Sequence, residues 1–246
     1  VYCGAVRLFS NIRVYEHTGG LYDATLGFWS REVRRKAAEA LRLQPGERLL
    51  IAGIGTGMEL SYLPRYTLGV GVDLSRGMME RARRRRTEVG MEGLSLRLMD
   101  ARELDFPDGE SLGGVSPSGE ASEAGGAPVE GQAETGFDAV YLPLILTVVP
   151  DGSRVLAEAA RVVKPGGRIV IADRFWPEHR LRPMPARMAS SVLGHVAMRF
   201  DHRFSEIHTG APHLTVEDYQ RVSPGSFFHL ITLRRPGVGE AGHEGR

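Results

Sequence analysis

Between residues 31 and 235 the apolar positions change their period repeatedly, and each change marks an element. In REVRRKAAEALR (31–42), Val33, Ala37, Ala40 and Leu41 recur on one face against a charged background, which predicts an amphipathic helix. A QPGE turn at 44–47 leads into a leucine-rich run over 48–53, predicted to be a strand. A helix from about Met58 to Leu63 and a strand over 68–73 follow. A long helix over 75–89 and a strand over 94–99 come next. Beyond a polar stretch, 137–142 has a strand pattern and 151–163 a helical one, with Asp151 suited to cap its N-terminus. KPGG at 164–167 then turns the chain into the strand 168-RIVIAD-173.

Strands separated by helices of this length predict βαβ units, a largely parallel sheet covered on both faces. The last third breaks the rhythm. Residues 184–200 have helical spacing through Met188, Val192, His195 and Val196. The runs 213–222 and 226–235 are strand-like and joined only by Ser223, Pro224 and Gly225, so they must run antiparallel.

The segment 108–136 is almost entirely Gly, Ser, Ala, Glu and Pro. That composition buries too little apolar surface to offset its ordering entropy, so it is expected as a flexible insertion within one domain spanning 1–246. Residues 1–30 are expected to form an N-terminal lid or cap. With 42% hydrophobic and 25% charged residues, the chain has a globular composition. Its net charge of +1 gives no global attraction to nucleic acid. The arginines at 81 and 83–86 are expected to be a solvated helix end that complements the helix dipole. The single cysteine, Cys3, excludes an internal disulfide or a multi-cysteine metal site and fits a cytoplasmic setting. No apolar run is long enough to span a bilayer, the longest being 139-AVYLPLILTVVP-150.

Chemistry concentrates in 50-LIAGIGTGMEL-60 and 69-GVGVDLS-75. A strand, then Gly53, Gly55 and Gly57, then a helix would set bare backbone N–H groups against a ligand, with Asp73 at the next strand end facing a ribose diol. The glycines follow G-x-G-x-G, and Met58 stands where a dinucleotide fingerprint needs its third glycine. No P-loop motif occurs. Such a loop suits an adenosine-containing ligand without phosphate.

The blocks LLIAGIGTGMEL, GVGVDLSRGMMERARRR, LRLMDARELDFPDGE, FDAVYLPLILTVVPD and LAEAARVVKPGGRIVIAD together resemble the class I S-adenosylmethionine-dependent methyltransferases, over roughly Tyr22 to Pro236 apart from the insertion. The resemblance implies an α/β, Rossmann-like, doubly wound seven-stranded sheet, mostly parallel with a C-terminal antiparallel β-hairpin. It implies S-adenosylmethionine as cofactor. Gly53, Gly55 and Gly57 would line its methionine part, and Asp73 would bind the ribose with Leu74 beside the adenine. Asp100 and Ala101 would meet the adenine, and Pro143 and Leu144 would lie near the sulfonium. One position departs: the first strand has Ile51 where the family usually has an acidic residue near the methionine ammonium. Tyr22 or Glu16 in 15-YEHTGGLYD-23 is a second possible anchor, Tyr22 being equally readable as a core residue.

Within that class the chain looks most like the bacterial phosphatidylethanolamine N-methyltransferases, with quinone C-methyltransferases next. That resemblance implies a lipid or small-molecule methyl acceptor. A non-catalytic cofactor-binding module is the competing class. Tyr22, His17 and His208 are the candidate bases, chosen from a polar set that also holds Glu16, Asp201, His202 and His213. The histidines in 202-HRFSEIHTGAPH-213 have neither cysteines nor enough carboxylates beside them for a metal site, so none is expected. The segment 5-AVRLFSNIRVYE-16 could be a lid helix or a short interfacial helix giving peripheral membrane contact.

Overall fold

The computed structural model describes residues 31–109, 136–178, 202–222 and 228–238. Helix α1 covers 31–41, followed by β1 (Arg48–Ala52), a 3-10 turn (Met58–Ser61), β2 (Leu68–Asp73), α2 (Arg76–Glu88) and β3 (Leu94–Leu98). Then come β4 (Phe137–Pro143), α3 (Gly152–Val162), β5 (Val163–Arg174), a short α4 (Phe204–His208), β6 (Thr215–Arg221) and β7 (Phe228–Arg234). The seven strands make one sheet in the order β3-β2-β1-β4-β5-β7-β6. β7 runs antiparallel to both β5 and β6, and the other neighbours are parallel. The architecture implied by the resemblance is therefore the one observed.

Alternation along the strands divides the core. Leu50, Ala52, Val140, Leu142, Ile169 and Ile171 pack toward α3 and α4. Leu49, Ile51, Ala139, Tyr141, Val170 and Ala172 pack toward α1 and α2, meeting Val33, Ala37, Leu41 and Met79. The central strands β1, β4 and β5 are buried on both faces, which is why their sequences hold apolar runs, whereas the edge strands β3 and β6 are largely exposed. Order reverses between β1 and β4: β1 leads outward to β2 and β3, and β4 leads the other way to β5. A crevice opens beyond the C-terminal ends of strands at such a reversal.

Two local expectations change. The helix expected over Met58–Leu63 is only a 3-10 turn ending at Ser61, because Gly57 begins it without a side-chain cap and Pro64 disfavours helical geometry in the residue before it. KPGG is a bulge inside β5 instead of its boundary: pairing to β4 passes from Phe137↔Val163 to Ala139↔Arg168. The region 202–213, between the predicted helix and the predicted hairpin, contains α4, whose Phe204 and Ile207 are buried. Asp151 does cap α3, accepting the Arg154 N–H at 3.1 Å. The expected helix over 184–200 and the 1–30 segment lie outside the described residues.

The strands before and after 108–136 share the sheet, and the ends of that segment adjoin. A Cβ placed on Gly136 would sit 2.4 Å from the Gly109 Cα. The Gly109 N–H donates to the Arg161 carbonyl, and the Arg161 guanidinium holds Asp108 and the Phe106 and Leu104 carbonyls. The segment's entry is thus pinned by α3. Deleting 110–135 and bridging Gly109 to Gly136 with two glycines should move the thermal midpoint by no more than about 4 °C. A fall above 10 °C would show that the excised residues hold the fold together.

Candidate functional site

The crevice is lined by Gly53, Gly55, Asp73, Leu74, Asp100, Ala101, Pro143 and Leu144, eight of the positions singled out in the sequence, together with Arg34, Thr56, Glu59, Met78, Met99 and the apolar run Ile145, Val148, Val149 and Pro150. Each comes from the C-terminal end of β1, β2, β3 or β4, or from an element packed against those ends.

The glycine loop leaves β1 through hydrogen bonds from the Gly53 and Ile54 N–H groups to the Val72 carbonyl, at 2.8 and 3.0 Å. Its three glycines differ in role. Gly55 has φ +55°, and a Cβ there would meet nothing within 4 Å. That is bare backbone open to the crevice. A Cβ on Gly53 would instead strike Ile145 Cδ1 at 2.6 Å. One on Gly57 would press on Leu60 and on Ala82 of α2, at 3.1 to 3.3 Å, and Gly57 is not part of the crevice wall. Gly57 lets α2 approach the loop, whereas Gly55 leaves bare backbone in the crevice wall. Arg85, expected in a solvated helix end, turns inward and donates to the Thr56 carbonyl at 3.0 Å, and Arg86 donates to the Leu94 carbonyl.

Three carboxylates share the wall. Asp73 accepts the Gly55 N–H at 2.8 Å through one oxygen and the Ser75 N–H at 2.9 Å through the other. Burial pushes its carboxyl up despite these bonds and one from Leu74. The loop is thereby fastened to the very carboxylate that faces the crevice. Asp100 lies in the fork of Arg102, with 2.6 Å between Oδ2 and the guanidinium. Burial opposes ionisation there, but the Arg102 bonds outweigh it and hold Asp100 below the usual carboxylate range. Glu59 pairs with Arg34 at 3.3 Å, and its burial raises the carboxyl.

Opposite these groups the wall is apolar. Leu144 continues β4 with φ +52°, a left-handed conformation uncommon for leucine, held by a 2.8 Å bond from its N–H to the Ala172 carbonyl. The loop after it is anchored from below. Fully buried Asp173 accepts the Thr147 hydroxyl at 2.6 Å, the Thr147 N–H at 3.2 Å and the Arg174 N–H at 2.7 Å. One side of the crevice can therefore grip a polar nucleoside while the other excludes water.

The candidate bases fare differently. His208 is not in the crevice wall: its Nε2 lies 3.1 Å from the Leu214 carbonyl and its ring stacks on Phe204 at 5.3 Å. It fastens α4 to the start of the hairpin. His17, Tyr22 and Glu16 lie outside the described residues. Among the described residues no group of His, Cys, Asp and Glu could hold a metal ion, and no helix is long and apolar enough to cross a membrane.

Sequence reasoning missed Arg34 and Glu59. A signal existed for both. Arg34 shares a helix face with Ala37 and Leu41, and Glu59 is the one charge in the apolar run after the glycine loop.

Comparison with known proteins agrees with this geometry. A methyltransferase domain model matches residues 50–115 and 127–171. The phosphatidylethanolamine N-methyltransferase of Cereibacter sphaeroides is 32% identical over 220 residues, covering 87% of this chain and 93% of that protein. A demethylmenaquinone methyltransferase of Tropheryma whipplei is 29% identical over 165 residues, 67% of this chain and 57% of that protein. Among solved structures, geranyl diphosphate C-methyltransferase from Streptomyces coelicolor, in complex with S-adenosyl-L-homocysteine, superposes with a TM-score of 0.59 at 18% identity, covering 81% of this chain and 78% of that one.

Proposed function

The chain belongs to the S-adenosylmethionine-dependent methyltransferases, and from that premise we propose that its acceptor is the amino group of a phospholipid headgroup. One observation carries the choice of acceptor. The likeness to the phosphatidylethanolamine N-methyltransferase runs along 93% of that protein, whereas the quinone methyltransferase named above is matched over 57% of its length. The alignment with the first therefore extends further beyond the cofactor fold, where an acceptor would be recognised, than the alignment with the second, which supports the lipid reading.

The described residues divide the work. Asp73 would accept the ribose hydroxyls, and its bond to Gly55 sets the loop's height above them. Asp100, held by Arg102, and Ala101 with Met99 would bound the adenine. Gly55 fits the ligand because only there does the loop leave room where a Cβ would stand. When bound, S-adenosylmethionine supplies a methyl carbon already activated by its sulfonium, so the protein's task is alignment and exclusion of water. Pro143, Leu144, Ile145, Val148 and Val149 are placed to do both. Their apolar character also disfavours a charged ammonium, so the acceptor amine would arrive in its neutral, nucleophilic form. The proton leaves before attack, to water at the crevice mouth or to a group outside the described residues.

The test is methyl transfer from labelled cofactor to vesicles containing phosphatidylethanolamine, with products resolved by mass spectrometry. The expected product is the lipid heavier by one methyl group. Labelling of a demethylmenaquinol with none of the lipid would replace this reading by quinone C-methylation, which the demethylmenaquinone methyltransferase relative supports.

A further inference from the structure

We propose that Glu59, with Arg34 beside it, holds the amino-acid end of the methyl donor, the carboxylate taking the donor's ammonium. This rests on the cofactor reading above. The observation is an orphan: Glu59 is 7% exposed, lines the crevice, and its Oε2 has no hydrogen-bond partner among the described residues. A buried carboxylate oxygen without a donor is costly, and such a group in a cavity wall calls for an explanation. The other two carboxylates are engaged, Asp73 by the Gly55 and Ser75 amides and Asp100 by the Arg102 fork. Of the three, Glu59 alone keeps an oxygen in reserve among the described residues.

Its position suits the role. The 3-10 turn begins directly after the glycine loop, so Glu59 stands two residues from Gly57 and follows β1, whereas Asp100 follows β3, two strands away in the sheet. A ligand whose nucleoside lies against Asp73 and Asp100 would extend its remaining atoms toward Glu59. The strand itself offers no charge there, since Ile51 is fully buried and pairs with Tyr141 of β4. Burial and, after it, the charge of Glu59 raise the Tyr141 phenol, so the acidic group is delivered beside that strand pair from the turn that follows.

The chemistry is complementary in both halves. A homocysteine-like tail is a zwitterion, and an ammonium brings donors for both Glu59 oxygens. The tail's carboxylate gains from the Arg34 guanidinium, which is 8% exposed and therefore little screened. Burial that raises the empty carboxyl also means that an arriving ammonium favours its ionised form.

Calorimetry with two ligands tests the assignment. S-adenosylhomocysteine carries the amino-acid tail, and 5′-methylthioadenosine lacks it. Glu59→Gln and Glu59→Ala should each weaken the first about 10- to 100-fold and leave the second within about threefold of wild type. Equal losses for both ligands, or none for S-adenosylhomocysteine, would overturn the proposal. On wild-type protein, the S-adenosylhomocysteine analogue without its α-amino group should bind about as weakly as 5′-methylthioadenosine. Undiminished affinity for that analogue would overturn it too, even if neither variant folds. Should wild-type protein bind none of these ligands, the cofactor reading fails first.

Discussion

Asp73→Ala should lower affinity for S-adenosylhomocysteine by about 100-fold or more. Two bonds from ribose hydroxyls to an ionised, half-buried carboxylate are each worth about 1.5 to 3 kcal/mol. Losing both accounts for about two decades of affinity. The substitution also releases the Gly55 and Ser75 N–H groups, so the loop loses its fastening to the end of β2. Asp73→Asn keeps the shape but can accept through one oxygen only, and should fall between wild type and alanine. Calorimetry checks the order, and an alanine variant within threefold of wild type would remove Asp73 from the site.

The same residue gives a pH signature. Its carboxyl is pushed up by burial, so the free fold binds a proton more readily than the unfolded chain. In the window between the unfolded and the raised value, this group favours the fold as pH falls and disfavours it as pH rises. Affinity for the cofactor should run the other way, declining as pH falls through the raised value and the carboxylate is neutralised. In Asp73→Asn both trends should become shallower, leaving the shares of Glu59 and Asp173, whose carboxyls burial also raises.

Gly55→Val should abolish detectable binding while the protein still folds. A Cβ there meets nothing within 4 Å, so no neighbour opposes it. Its cost is the left-handed φ of +55°, about 1 to 2 kcal/mol for a residue with a Cβ. The same space is where the ligand would lie. Gly57→Ala is the control with the opposite profile: its methyl presses on Leu60 and Ala82, so stability should drop by about 1 to 3 kcal/mol with a smaller loss of affinity. Thermal unfolding alongside calorimetry separates the two. Similar behaviour of both variants would mean that the glycines share one role.

That contrast also marks where reading the chain succeeds and stops. The alternation of Leu49 to Ala52 and of Phe137 to Leu142 is a property of neighbouring residues, so the strands and their two buried faces were legible. So were Gly55 and Asp73, because a short loop and the end of the next strand are brought together by the βαβ unit itself. Gly53 owes its constraint to Ile145, and Gly57 partly to Ala82, partners from distant segments that local pattern does not announce. The pairing of Arg34 with Glu59 spans 25 residues and two elements, and only the packing of α1 against the turn creates it. His208 looked catalytic by type. A carbonyl six residues on, at Leu214, gives it a structural duty.

The meeting of Gly109 and Gly136 has a practical consequence. The polypeptide departs from and re-enters the body of the enzyme at almost one point, so cargo stitched in between would hang from a single stalk. A fluorescent protein grafted there would travel with the enzyme without stretching it, and could be watched under a microscope as vesicles of chosen lipid are offered.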